Sequence, residues 1–370
     1  MTFAKIRMPG RKLGRIVLLL AAVLCTGSRL QAGELPDVQP PRQPFMSKDP
    51  GENAPQLKQP PALEAELMAL TEGSMEERVA KLKRKVLKDL VWVEGGSFMM
   101  GDFGPWWSPE KMYYTTGLDN KPPHKVTLTG YSMARYKTTY AEFDVFADAT
   151  GQERAGMELK PGYESLQGIY RHPRIPVGVY WHRARDYCHW LGNQTGVPFS
   201  LPTEAQWEYA ARSRGQNFIW ATDNGHMDKG RNMASDEQKE RLRPVVRTDP
   251  HAPASVTRAM LFPVGIFPPN PLGLYDMNAN GWEWMQDWYD AKWYRVSPER
   301  DPMGPPAGTL RSLRGYADGD YVSGLNVIRY ARDPMIIEKD FFTGVLGPGT
   351  NTTHSVRCVA NQDHPVEVER

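Results

Sequence analysis

A chain of 370 residues with 40% hydrophobic content carries enough apolar material for a sizeable core, arranged as one large domain or two ordinary ones. Its formal net charge is +2, and no dense Lys/Arg block occurs in the body, which argues against a nucleic-acid partner. The first 32 residues open with Lys5, Arg7, Arg11, Lys12 and Arg15, followed by an apolar run from Ile16 to Cys25 that closes near Leu30-Gln31-Ala32. The run is too short to span a bilayer comfortably, so residues 1–32 are expected to be a cleaved secretory signal and the mature protein periplasmic rather than transmembrane. The alternative is a lipoprotein anchored at Cys25, although the bulky Leu24 before it fits poorly. Residues 33–61, rich in Pro, Gln and Asp without an apolar period, read as an extended tether.

Residues 62–90 read as a helical arm of one or two helices. Ser74 and Glu77 have capping-box spacing, and Val79, Leu82, Val86 and Leu90 recur at helical spacing with Lys and Arg between them. Such an arm either packs on the domain that follows or docks, through its basic face, on a partner or a membrane surface. Beyond Leu90 the texture changes to short segments broken by Gly and Pro. Val91 to Gly101 reads as a strand, a Gly-Gly turn and a second strand, and His124 to Thr129 alternates like a half-buried strand. Phe143, Phe146 and Ala147 share one helical face, as do Trp181, Ala184, Cys188 and Leu191. Thr203 opens a further helix, with Gln206 at the capping-box position and Trp207, Ala210 and Ala211 facing inward. Trp106 and Trp107 are either core residues or an exposed aromatic recognition patch, and the core reading is preferred.

If Cys25 leaves with the signal, Cys188 and Cys358 remain as an even pair in an oxidising compartment; the alternatives are a bridge or two buried thiols. The stretch Asn270–Tyr289 combines closely spaced oxygen donors with three tryptophans. Two uses fit it. Asp276, Glu283 and intervening carbonyls wrap a hard cation, with Gly281 bending the backbone, or Asp276 and Asn280 hold a turn over packed indoles.

The motifs Glu-Gly-Gly-Ser-Phe-Met-Met-Gly (94–101), Asp-Tyr-Cys-His-Trp-Leu (186–191), Leu-Pro-Thr-Glu-Ala-Gln-Trp-Glu-Tyr-Ala-Ala-Arg (201–212), Gly-Leu-Tyr-Asp-Met-Asn-Ala-Asn-Gly-Trp-Glu-Trp (273–284), Leu-Arg-Gly (313–315) and Val-Arg-Cys-Val (356–359) occur in this order. Together they resemble the sulfatase-modifying-factor family, whose founding members are the formylglycine-generating enzymes. The resemblance implies an α+β fold over residues 91–361, a single irregular domain with a C-type-lectin-like core and little regular secondary structure, ending in a tail at 362–370. It implies structural calcium on Asp276, the backbone of Ala279 and Gly281, and Glu283, with a second, less well-matched calcium site starting at Asn232 and Met233. It also supports a Cys188–Cys358 disulfide.

The same resemblance removes the known chemistry. Formylglycine-generating enzymes hold copper on two cysteines, and soft Cu(I) requires thiolate donors. The matching positions here are Asp320 and Leu325, so no copper is expected. The old peptide groove would be lined by Tyr316, Asp318, Asp320, Tyr321 and Arg329. The leading expectation is therefore a non-catalytic exported protein that binds a protein partner in the bacterial envelope. It would be similar to accessory regulators of type VI secretion that act upstream of a membrane Ser/Thr kinase. The rival is a cysteine-independent oxidase or maturation enzyme acting on a secreted small molecule or peptide.

Overall fold

The computed structural model describes residues 59–156, 171–242, 261–316, 323–339, 346–348 and 353–367. The expected signal, Cys25 and nearly all of the expected tether lie outside them, and so do Asp318, Asp320 and Tyr321. Among the described residues, no helix is long and apolar enough to cross a membrane.

The arm is two helices, α1 (Pro61–Ala69) and α2 (Met75–Lys88). Ser74 and Glu77 form the reciprocal capping box that starts α2. Leu63, Leu67, Leu70 and Leu82 join a core with Phe143 and Phe146 of α4 (Tyr140–Thr150) and Tyr187 and Leu191 of α5 (Trp181–Thr195). Of the basic residues of α2, Arg78 pairs with Asp148 at 2.7 Å and Lys85 with Glu142 at 2.9 Å, both acids on α4. The arm is thus packed on the body, and two of its cations face inward rather than toward a partner.

The sequence suggested a strand, a Gly-Gly turn and a second strand at Val91–Gly101; the strands form but do not pair with each other. β1 (Leu90–Val93) pairs with β4 (Tyr131–Ala134), whereas β2 (Gly96–Met100) pairs with β3 (His124–Leu128). Gly95 is the crossing point. A Cβ there would lie 2.5 Å from the Leu128 carbonyl oxygen, so only glycine lets the two backbones pass.

β4 continues through β12 (Val359–Ala360) to β5 (Phe199–Ser200), completing an antiparallel four-stranded sheet. A second sheet runs β11 (His354–Ser355), β6 (Gly281–Trp288), β7 (Arg311–Tyr316), β8 (Tyr330–Arg332), with β11 parallel to β6 and the rest antiparallel. A small ladder pairs β9 (Ile337–Lys339) with β10 (Leu346–Pro348). The remaining described helices are α3 (Gly104–Trp107), α6 (Glu204–Ala211) and α7 (Asp236–Leu242). On α3 the tryptophans divide: Trp107 packs against an apolar cluster, while Trp106 is 46% exposed, so the core expectation fails for Trp106.

Cys188 and Cys358 are bonded, fastening α5 to the residue before β12 across a sequence separation of 170. Both sulfurs sit in the apolar core that the arm also enters.

Candidate functional site

α6 supplies the polar centre of the molecule. Glu204, Glu208 and Arg212 recur every fourth residue and therefore share one face of the helix, continued by the residue just past its end. All three are buried. Arg329 holds Glu204 through Nη2 at 2.7 Å and Nε at 3.1 Å, and Arg314 of β7 lies 3.4 Å from Glu204. Arg314 also donates to Glu208 at 2.7 Å, and Arg212 donates to the other oxygen of Glu208 at 2.9 Å. The result is an internal ladder, Arg329, Glu204, Arg314, Glu208, Arg212, in which each carboxylate sits between two guanidinium groups. Burial tends to raise the Glu204 carboxyl, but the charges of Arg329 and Arg314 outweigh it and hold its pKa below the ordinary value. Asp287 has no such partner. Burial and the neighbouring charge of Glu204 push it up to about 8, so it is protonated at neutral pH while accepting the Glu204 backbone N–H at 3.0 Å.

This ladder decides the role of Arg329. It was expected to line a peptide groove, but it is 6% exposed and its side chain is spent on Glu204 and backbone carbonyls, including that of Asp119. Tyr316 is different. It lies half-buried at the end of β7, stacked on Tyr330 at 6.0 Å and edge-on to Trp282 at 5.1 Å, while Trp282 stacks on His354 at 5.3 Å. These four rings form an aromatic face on the sheet, one residue before the undescribed segment 317–322. Burial pushes His354 down to about 3, so this face carries a neutral imidazole. Leu325, which the resemblance matches to the second copper cysteine, is 8% exposed in an apolar cluster with Phe103, Ile219, Trp220, Met233 and Val327.

The oxygen-rich loop before β6 is bent by positive φ at Asp276 (+61°), Asn280 (+61°) and Gly281 (+102°). The Asn280 amide both accepts from and donates to the Phe262 backbone, at 2.9 and 3.0 Å, and Asp276 accepts the Gly265 N–H at 2.9 Å. Asp276 and Asn280 thus tie the loop to the 262–265 backbone. Glu283 is fully buried and held by Arg357 through Nε and Nη2, both at 2.9 Å, by the Trp207 indole N–H at 3.0 Å, and by Lys137 at 3.3 Å. The Lys137 ammonium also donates to the Gly281 carbonyl. Burial draws the Lys137 pKa down to about 8, against the pull of Glu283. At the second expected calcium position, Asn232 Oδ1 accepts the Asp228 N–H at 2.7 Å, and the Met233 carbonyl accepts the Gly230 N–H at 2.7 Å. Among the described residues no group of three or more His, Cys, Asp or Glu side chains is placed to hold a metal ion.

A separate cavity of about 470 Å³ opens between α5 and the start of β7. Trp181, Arg185, His189, Trp288 and Arg311 line it, and the Arg311 guanidinium is sandwiched between the Trp181 and Trp288 rings at 3.6 and 3.4 Å. Neither this sandwich nor the α6 ladder was recognised in the sequence. The ladder had a readable signal in the fourfold spacing 204, 208, 212; the sandwich had none, because Trp181 and Arg311 are far apart in the chain.

Comparison with known proteins agrees with the motifs. The model of the sulfatase-modifying factor enzyme 1-like domain matches residues 76–342. Serine/threonine-protein kinase pkn1 of Chlamydia pneumoniae is 31% identical over 298 residues, 75% of this chain and 38% of the kinase. The formylglycine-generating enzyme of Bos taurus is 29% identical over 231 residues, 52% of this chain and 58% of the enzyme. The chain thus spans well under two thirds of either relative. PvdO from Pseudomonas aeruginosa has the same fold at a TM-score of 0.53 and 24% identity, over 74% of this chain and 94% of that structure. With this domain spanning well over half of its length, the chain belongs to the sulfatase-modifying factor family, that of the formylglycine-generating enzymes.

Proposed function

We propose that this chain is an exported, non-catalytic member of the family that acts in the bacterial envelope by binding another protein. One observation carries the reading. Leu325, where the second copper thiolate would stand, is an apolar side chain packed inside the fold, and Cys188 and Cys358 are consumed by their disulfide. That leaves Cys25 as the single other cysteine in the sequence. A site built this way offers Cu(I) no pair of thiolates. The half-buried aromatic face of Tyr316, Trp282 and Tyr330 is the surface we assign to the partner, since rigid rings supply contact area at little entropic cost. The similarity to part of a Ser/Thr protein kinase supports a partner in kinase signalling, with a membrane kinase of the type VI secretion system as the specific reading.

The test is affinity capture of the full chain from envelope fractions, in parallel with Tyr316→Ala and Tyr330→Ala. Specific loss of one captured protein, with melting temperature unchanged, is the expected result. Conversion of a cysteine-containing peptide to formylglycine by the copper-supplied protein, read by mass spectrometry, overturns the proposal. The cavity beside Arg311 favours a second reading, an enzyme maturing a secreted small molecule. That reading requires turnover that disappears when the cavity is filled by Met303→Trp.

A further inference from the structure

We infer that the ammonium of Lys137 is the resident cation of the 276–283 loop, so that this chain closes the loop with its own side chain in place of a calcium ion. The donor set expected to hold calcium comprises Asp276, the carbonyls of Ala279 and Gly281, and Glu283. Two of these four, the Gly281 carbonyl and the Glu283 carboxylate, are bound by the Lys137 Nζ. Calcium needs its oxygens at about 2.3–2.6 Å and six to eight of them. An ammonium in contact with both oxygens stands in the space such an ion would fill, so the two exclude each other.

Several oxygens of the set have further partners. Both oxygens of Glu283 accept from Arg357, and one also accepts from Trp207. Asp276 Oδ2 accepts the Gly265 N–H. Charge points the same way. Lys137, Arg357 and Glu283 are fully buried, and Asp276 lies beside them, so two cations face two carboxyl groups. A divalent ion added there would leave a large excess of positive charge away from water.

The backbone gives Lys137 no other course. Its neighbours are tied on both sides: Arg135 N–H donates to the Asp89 carbonyl, and Thr138 donates to Val356 and accepts from Val177. Two residues on, Thr139 caps α4. A long side chain leaving this pinned segment reaches the oxygen pocket and ends there, with no exposed surface.

The experiment compares the full chain with Lys137→Met, which keeps the length and removes the charge. Each is dialysed against millimolar calcium and, separately, against chelator; bound metal and melting temperature are then measured. Terbium serves as the calcium probe, because Trp207 touches Glu283 and would sensitise an ion held in this loop; emission is assigned to the loop where Glu283→Gln removes it. The expected result is a wild-type protein whose melting temperature is the same in calcium and chelator, with no terbium emission that Glu283→Gln removes. Lys137→Met should melt lower in chelator and recover in calcium, with emission appearing. One calcium per wild-type chain with sensitised terbium emission, both lost in Glu283→Gln, overturns the inference; so does a folded Lys137→Met that ignores both ions. If Lys137→Met fails to fold in chelator, folding rescued by calcium supports the inference, and failure in both media leaves the wild-type emission to decide it either way.

Discussion

Glu208 stands where the buried ladder is least forgiving, with Arg314 on one oxygen and Arg212 on the other. Glu208→Gln leaves both guanidinium groups short of countercharge, and removing one partner of a buried pair costs about 3–5 kcal/mol. Urea unfolding monitored by tryptophan fluorescence should show that loss; a change below about 1 kcal/mol would mean the ladder is hydrated. Asp287 behaves oppositely. Its folded pKa is raised to about 8, so the folded state holds a proton that the unfolded chain has released above the ordinary aspartate range. Stability from this group is therefore present at acidic pH and lost as pH rises from about 4 to about 8. Asp287→Asn keeps an acceptor for the Glu204 N–H and removes the titration. The variant should outlast the wild type in urea at pH 8 and match it near pH 4. These positions were hidden in the sequence: Trp207, Ala210 and Ala211 correctly announce a buried face on α6, but acids and an arginine on the same helix look like its solvent side until their partners on β7 and beyond are in place.

For the elements, local signals were the most readable. The caps Ser74 and Thr203 each accept from the N–H three residues on, where the sequence places helix starts. Pairing was not readable: β1 and β2 are adjacent in sequence yet belong to different sheets, because nothing local says that a Gly-Gly pair crosses rather than turns. The arm's inward face was half legible. Leu82 has the right spacing, but Lys85 looked exposed because its partners, Asp89 and Glu142, include one 57 residues away. Deleting residues 59–88 would bare the side of the core where Leu63, Leu67, Leu70 and Leu82 pack. The truncated protein should melt lower and bind a hydrophobic dye, whereas an arm serving only as a docking element would leave both readings unchanged. Replacing both cysteines of the bridge by alanine should cost about 2–5 kcal/mol, since the loop they close is long. Wild type in reductant should show a comparable loss.

Across the whole molecule, titrations of opposite sign set the pH dependence. Burial opposes but does not overcome the arginines that hold Glu204 and Glu283 below the usual glutamate range. Their contribution is present above about pH 4.5 and lost as pH falls through the folded values. Asp287 penalises the rise toward pH 8. His354, held neutral by burial down to about 3, takes up a proton in the unfolded chain below about pH 6.5 and so withdraws stability as pH falls. The urea midpoint should therefore peak near about pH 6.5, between that loss and the one from Asp287, and a midpoint still climbing from pH 7 to 8 would contradict that balance.

The Cys188–Cys358 bond also fixes what a protease can achieve. The chain is in effect a closed ring from 188 to 358 with two tails, and α6, the 276–283 loop, the aromatic strand β7 and Leu325 all lie on the ring. A single cut anywhere on it opens the ring without releasing a piece. A nicked molecule would run as one band until reduced, its parts held together by the one bond.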